Sequence, residues 1–552
     1  MYLRTVTRTN KDGSKVKYYQ LAHNERHPVT RKPVAKIIHN FGRADEFDPD
    51  QLARLCSSIA RVCGLKVVDP TKEPDTQENT QPTEDLKIIG TRALGTVLAV
   101  EAIWEKLDIG NKLRKLCKKQ NLKAPYERAL LAMTANRLCY PESKLGVWDR
   151  WLDTVYLPTC NSVKLDHMYE AMDFLHDNIA EVEDAIFFST ANLFNLDVDL
   201  IFYDTTTASF SIDHEDEIRK YGKSKEGGWN PQVVIALAVT KDGLPVRSWV
   251  FPGNTTDVKT IETVRKDLRD WNLNRTLFVA DAGINSIKNR QELSRACGKY
   301  LLATRMASVS EVKKKVLSNH SRYTVMKDNL RAKEVIIGNG ERRRRYILCH
   351  NPKEEKRQKA HRKQIITLLE EKLSKHKDKK ATARWAIDLL ASKRYKPYLT
   401  VTKAGKIRID RKKIKEAERY DGKWVIETND DTISLEDAAN GYKSLLVIER
   451  CFRSLKRTQI KMMPMYHWAT RRIETHVKIC VLALLIERIA EQICGVPWNH
   501  IRNELDKIQA TEFLSDTHRI IRRNEIGVMT QAILKKLGIS TPKAVLSLNP
   551  RT

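Results

Sequence analysis

The chain has 552 residues, which at the usual size of roughly 100–200 residues per domain asks for three or four domains. Lys and Arg outnumber Asp and Glu by 98 to 69, a net charge of +29, and such an excess marks a polyanion-binding protein, because each neutralised phosphate releases condensed counterions. A membrane span, a secretion signal and a zinc or disulfide framework are all excluded by expectation: the most apolar run, Ile479 to Ile486, stops at Glu487-Arg488, the N-terminus lacks an apolar core, and ten scattered cysteines form no C-x-x-C. A reducing cytoplasm is the expected location.

Residues 1–68 read as a small α/β module, with β-type segments at Lys15 to Leu21 and Lys36 to His39 and a helical stretch near Asp50 to Cys63. Residues 69–85 are polar, Pro-punctuated and aperiodic, as in a linker that buries too little apolar surface to order itself. Residues 86–197 carry helical periodicity (Leu94, Val97, Leu98, Ala102, then Leu130, Met133, Leu138) and predict an all-helical block. Its cations, Lys112, Arg114, Lys115, Lys118 and Lys119, suit DNA docking or a plain packing scaffold equally.

From Asp199 the pattern changes to short apolar runs. Leu200 to Tyr203, Val233 to Val239, Val246 to Phe251 and Leu277 to Ala280 predict four strands, with Lys241-Asp242-Gly243 as a hairpin turn and a helix over Asp257 to Trp271. A three-strand meander, a crossover helix and a further strand predict an α/β fold, a mixed sheet flanked by helices. Residues 198–304 are its first part. Residues 305–433 are too long for a loop and predict an inserted α+β subdomain. It holds strand-like pieces near Glu334, Arg345, Lys406 and Lys423, a charged helical segment from Glu354 to Leu390, and the run Arg342 to Arg345. The helical segment reads as DNA-lining because the four-Arg run stands beside it, a solvated face being its competing reading, and Arg343 and Arg344 of that run are candidate DNA-binding residues. Residues 434–490 return to the core, and 491–552 predict a helical tail. Gly222-Lys-Ser-Lys-Glu-Gly-Gly lacks the spacing of a nucleotide-cradling loop.

Three acids stand in telling places. Asp204 and Asp281 each end an apolar strand, and Glu449 lies in an amphipathic helix, opened by the capping-box-like Ser434-Leu-Glu-Asp437 and interrupted at Asn440-Gly441. From Tyr442, residues Leu445, Glu449, Phe452 or Arg453, and Lys456 recur on one helix side. That face would offer an apolar seat, a ligand and, further along, cations for phosphates. A phosphodiester is charged and has a poor leaving group, and two divalent ions roughly 3.5–4 Å apart answer both problems. Such ions need hard oxygen ligands with open positions. Asp204 and Asp281 on adjacent strands meet that need, with Glu449 from a packed helix as the third. Mutual repulsion should raise the acids' proton affinity without the cation, which links metal binding to deprotonation. Each piece has a plain alternative: a turn or capping Asp, or a Glu449–Arg453 pair at i+4.

These residues resemble the DDE transposases of bacterial insertion sequences, the group whose last acid lies in a Y-x2-R-x3-E-x6-K motif. Here that reads Tyr442-x2-Leu445-x3-Glu449-x6-Lys456, with Leu in place of Arg, so that Arg450 or Arg453 is left to contact phosphate instead. The resemblance continues through Phe202-Tyr-Asp204-Thr-Thr-Thr, Pro231-Gln-Val-Val, Gly243-Leu-Pro-Val-Arg247, Phe251-Pro-Gly-Asn-Thr-Thr-Asp257, Val279-Ala-Asp281-Ala-Gly-Ile, Tyr420-Asp-Gly-Lys-Trp-Val and Tyr466-His-Trp-Ala-Thr-Arg-Arg. It covers most of residues 86–490. It implies a ribonuclease H-like core interrupted before its last helix, and Asp204, Asp281 and Glu449 as ligands of two Mg2+ ions, with Mn2+ as a substitute. It further implies Tyr442 and Lys456 near the scissile phosphate, and a homodimer or larger synaptic multimer on double-stranded DNA, comprising the element's terminal inverted repeats and a target. Trp424 is the candidate for stacking a flipped base, with core packing as its alternative; no chemistry is assigned to His467 or His476. Two other classes stay open: a nuclease or resolvase of the same core that cuts without joining, and a non-enzymatic DNA-binding descendant.

Overall fold

The computed structural model describes residues 2–10, 15–26, 33–44, 86–194, 199–270, 276–296, 298–327, 329–340, 343–376 and 380–551. The chain divides into two compact units, Met1–Glu84 and Asp85–Thr552. In the first, β1 (Tyr2–Thr9), β2 (Lys15–Arg26) and β3 (Pro33–Arg43) form an antiparallel meander with β2 in the middle. The helical stretch expected near residues 50–63 and the expected linker 69–85 lie outside the described residues.

The second unit opens with β4 (Lys87–Ala93) and the helices α1 (Gly95–Lys106), α2 (Ile109–Lys119), α3 (Tyr126–Cys139), α4 (Leu165–Asp177) and α5 (Ile179–Phe194). On α2 the apolar side chains Ile109, Leu113 and Leu116 are buried, and the cations face outward. Three of those cations have carboxylate partners, Lys112 with Glu181 at 3.5 Å, Lys119 with the same Glu181 at 4.0 Å, and Arg114 with Glu105 at 3.1 Å.

A ten-stranded sheet follows, built from β5 (Leu200–Ser209), β6 (Lys220–Lys223), β7 (Trp229–Val239), β8 (Pro245–Pro252), β9 (Leu277–Ala280), β10 (Lys299–Thr304), β11 (Thr324–Lys327), β12 (Leu330–Ile337), β13 (Arg344–His350) and β16 (Lys423–Thr428). The order is β11-β12-β13-β16-β10-β9-β5-β7-β6, with β8 also on β7. β7 is antiparallel to β5 and β8, while β5, β9 and β10 run parallel. This mixed sheet flanked by helices agrees with the expected ribonuclease H-like fold. Both of its faces are covered, which is why β7 from Pro231 onward is buried throughout. One face packs α6 (Asp257–Asp270) and α7 (Ile287–Ala296) through Ile261, Val264, Leu268 and Leu293. The other joins α1–α5 in one continuous core.

The stretch 305–433 does not stand apart as a single inserted subdomain. Its strands β11–β13 and β16 extend the main sheet, because β16 pairs antiparallel with both β10 and β13 (Leu301↔Thr428, Ile347↔Ile426). A satellite core forms only from α8 (Pro352–Ser374), α9 (Arg384–Ala391), β14 (Leu399–Val401) and β15 (Ile407–Ile409). After α10 (Arg411–Glu418) and β16 come α11 (Leu435–Lys443), α12 (Leu446–Arg453) and the long buried α13 (Thr470–Cys494). The tail beyond residue 491 is not purely helical. Besides α14 (Trp498–Leu505) and α15 (Val528–Leu537) it holds β17 (Gln509–Leu514), β18 (His518–Arg523) and β19 (Val545–Pro550), which pair with one another and with β4. Phe513 opposite Ile520 and Glu512 opposite Ile521 show the cause: cross-strand partners distant from a helix register set the local structure. Among the described residues no helix is long and apolar enough to cross a membrane.

Candidate active site

β5 and β9 run parallel with Phe202 opposite Val279 and Tyr203 opposite Ala280. The next residue on each strand is an acid, so Asp204 and Asp281 leave neighbouring strands side by side, about 4.8 Å apart by strand spacing. Phe202 belongs to the main core and Tyr203 to the opposite face. Alternation therefore turns Asp204 toward the face that α11 and α12 cover. α12 packs on β5 and β7, and α11 on β9 and β10.

The segment 442–456 is not one continuous helix. It breaks at Ser444-Leu445, where Ser444 Oγ donates to Asn440 O at 2.9 Å and Val447 N and Ile448 N bond three residues back, to Ser444 O and Leu445 O. Gly441, expected as the interruption, lies inside α11, where an added Cβ would sit 3.7 Å from Leu301. The seat of α12 is Ile448, Cys451 and Phe452, continued by Leu455. Cys451 Sγ reaches Gly243 O at 3.5 Å in the β7–β8 turn, which fixes the helix on the sheet. Glu449, Arg450 and Arg453 are left on the exposed side.

Tyr442 bonds one of the three acids and lines a cleft with another, Glu449. Its hydroxyl donates to Asp281 Oδ1 at 3.2 Å. Burial pushes its phenol well up, and Asp281, Glu449 and Asp204 add to the rise in that order. Burial likewise raises the Asp204 carboxyl above its ordinary range; Lys225 and the Thr205 N–H oppose this, and the nearby Asp257 and Asp281 reinforce it.

Lys225 and Asp257 complete the surroundings. Lys225 Nζ stands 3.6 Å from both Asp204 Oδ1 and Asp257 Oδ2, and Thr205 Oγ1 donates to Asp257 Oδ1 at 2.6 Å. An ammonium thus lies where a cation between these acids would be held. The donors are hard carboxylate oxygens, as a divalent ion needs. As the side chains stand, no three His, Cys, Asp or Glu among the described residues form a closed metal-holding group. Tyr442 and Lys225 engage oxygens that such a group would use.

The expected DNA contacts fall into two sets. Lys456, whose side chain is 9% exposed, donates to Thr207 O at 2.7 Å and pairs with Glu226 at 2.8 Å. Arg450 and Arg453 are exposed. Trp424 is half-buried on β16 and packed against the main core, with Lys443 over its ring at 5.7 Å. Its indole N–H is buried without a hydrogen-bond partner, and its side chain also lines the cleft beside Glu449. Arg343 pairs with Asp431 at 2.5 Å and Arg344 with Glu311 at 2.9 Å, so intramolecular carboxylates already hold both. His467 and His476 are buried among the cations Arg137 and Lys144, and burial lowers the proton affinity of each. The sequence does not announce Lys225 and Asp257 as neighbours of Asp204, or Glu226 as the partner of Lys456. Asp257 closes the motif Phe251-Pro-Gly-Asn-Thr-Thr-Asp257, whereas Lys225 lies in a loop, residues 222–228, that carries no recognisable spacing.

A family model described as the Transposase DDE domain matches residues 198–484, more than half of the chain. A second, described as the IS1634 family transposase N-terminal domain, matches residues 3–71. No curated protein matches the chain.

Proposed function

Because the chain belongs to the DDE transposases, we propose that it cuts the ends of a mobile insertion sequence and transfers the freed 3′-OH ends into target DNA. Asp204, Asp281 and Glu449 are the residues that hold a pair of Mg2+ ions, with Mn2+ as a substitute. Bound there, divalent ions supply activation of the attacking oxygen and charge stabilisation of the leaving one. The observation that supports this most is that Asp204 and Asp281 end neighbouring parallel strands, while Tyr442, bonded to Asp281, lines one cleft with Glu449.

Each of the chain's own groups then has a task. Asp204 and Asp281 offer oxygens from fixed strand ends, and Glu449 approaches from a helix seated by Ile448, Cys451 and Phe452. Tyr442 restrains Asp281 through its hydroxyl. Lys456 is anchored to the β5 backbone, where it can present charge to the strand being cut, and the exposed Arg450 and Arg453 extend that charge along the helix. A homodimer or larger multimer brings two element ends, the terminal inverted repeats, together with target DNA.

The test is incubation of the purified protein with labelled candidate element ends and a target plasmid, in Mg2+ or in EDTA. Cleaved and joined products are expected in Mg2+ and neither in EDTA. Cleavage that never leads to joining would make the chain a nuclease. Metal-independent products would overturn the proposed chemistry.

A further inference from the structure

The loop from Ser224 to Gly228, between β6 and β7, sets two adjacent residues of opposite charge on two parts of the site of opposite charge. Gly227 at φ +102° and Gly228 at φ +87° turn the chain through backbone conformations that other residues rarely adopt. Ser224 N donates to Gly228 O at 3.1 Å and Lys225 N to Thr207 Oγ1 at 3.0 Å, which folds the loop onto β5. β9 pairs with β5 only as far as Tyr203. Beyond that point two ammonium groups cap carbonyls of β5: Lys225 Nζ donates to Thr205 O at 2.6 Å and Lys456 Nζ to Thr207 O at 2.7 Å.

The side chains continue the pattern. Lys225 reaches Asp204 and Asp257, each at 3.6 Å. Its neighbour Glu226 reaches Lys456 at 2.8 Å and Arg457 at 3.5 Å. Lys456 holds the Glu226 carboxyl below the usual range.

We propose that this hairpin tip is a latch that imitates both halves of the bound substrate: the Lys225 ammonium stands in for a divalent ion at Asp204, and the Glu226 carboxylate stands in for a DNA phosphate at Lys456 and Arg457. The inference rests on the transposase reading, because it presumes that a cation and a phosphodiester meet at these groups. A cation arriving at Asp204 repels Lys225, and a phosphate arriving at Lys456 displaces Glu226. The two residues are consecutive, so withdrawal of either strains the other, and DNA and metal each favour the open state that the other needs. Both side chains are about half exposed, Lys225 at 39% and Glu226 at 47%. Ion pairs of this kind are weak enough for a multiply charged ligand to exchange. The closed hairpin keeps the acids and the cations neutralised until DNA arrives.

The experiment uses the full chain with a fluorescently labelled DNA duplex, at low salt and in EDTA. Binding is followed by anisotropy for the wild type, Glu226→Gln and, as a control of equal charge change, the exposed Glu217→Gln. Glu226→Gln is expected to bind about three- to fivefold more tightly than Glu217→Gln, the upper range for an ion pair whose carboxylate is half exposed. In hydrogen exchange, DNA is expected to speed exchange over residues 223–229 of the wild type, against the general slowing of a contact surface. Equal affinities for the two variants, or slowed exchange in that segment, would overturn the latch. If neither the wild type nor Glu226→Gln binds duplex at all, the transposase reading itself fails and takes the latch with it.

Discussion

Replacing Asp204, Asp281 or Glu449 by Ala is expected to lower both cleavage and joining by about 10^3-fold or more, while affinity for DNA stays within about threefold of the wild type. The size follows from the chemistry: loss of one ligand to a catalytic ion forfeits several kcal/mol of charge stabilisation, and about 4 kcal/mol is a thousandfold in rate. DNA affinity is spared because it comes from the chain's excess of cations, none of which these substitutions removes. Folding is spared for a related reason. Asp204 is held above its ordinary range by burial and by Asp257 and Asp281, so its ionised form is no stabilising asset, and Asp281 and Glu449 are exposed. Labelled-end cleavage and plasmid-joining assays, with anisotropy for binding, check all three variants. A variant that joins at a near-normal rate would remove that residue from the site.

Gly253→Ala is expected to cost about 3 kcal/mol of stability and to disable the enzyme at moderate temperature. A Cβ built there falls 2.0 Å from Gln232 O and 2.4 Å from Lys220 O. Both are backbone atoms of the β6–β7 pair, held as Lys220↔Gln232 in the ladder, so neither yields cheaply. Gly253 N also donates to Ile218 O at 3.0 Å, and Gly253 O accepts from Gln232 Nε2 at 2.9 Å. The added methyl group must therefore prise open the base of the hairpin that carries Lys225 and Glu226. Gly90→Ala is the control, since nothing lies within 4 Å of its Cβ. Urea midpoints for the two variants decide the matter: equal midpoints would mean that the hairpin base is loosely packed.

The main sheet is legible where burial writes itself into composition. Leu200 to Tyr203, Val233 to Val239 and Leu277 to Ala280 are apolar runs between turns because both faces of the sheet are covered. The turn at Gly243, with φ +82°, was legible from Lys-Asp-Gly. The acids at strand ends could be found for the same reason, as each closes such a run. What stayed hidden depends on partners remote in sequence. β6, Lys-Tyr-Gly-Lys, has no apolar alternation and exists because β7 and two glycines fold it back. The break after Lys443 leaves no mark in the helical periodicity, since Ser444 fits a helix and bends it by bonding to Asn440 O. The run Arg343-Arg344 read as a DNA-lining surface because Asp431 and Glu311, its partners, lie far along the chain. β16 read as part of a separate insertion because nothing local announces its pairing with β10. Lys225 and Glu226 looked like an ordinary polar loop, and their significance is entirely spatial.

The most direct measurement is anomalous scattering at the manganese edge from crystals of the full chain soaked in Mn2+. Manganese is expected on carboxylate oxygens of Asp204 and Asp281, with Glu449 drawn in beside them and Lys225 withdrawn from Asp204. Manganese bound elsewhere, with Lys225 still on Asp204 and Glu449 turned away, would contradict it.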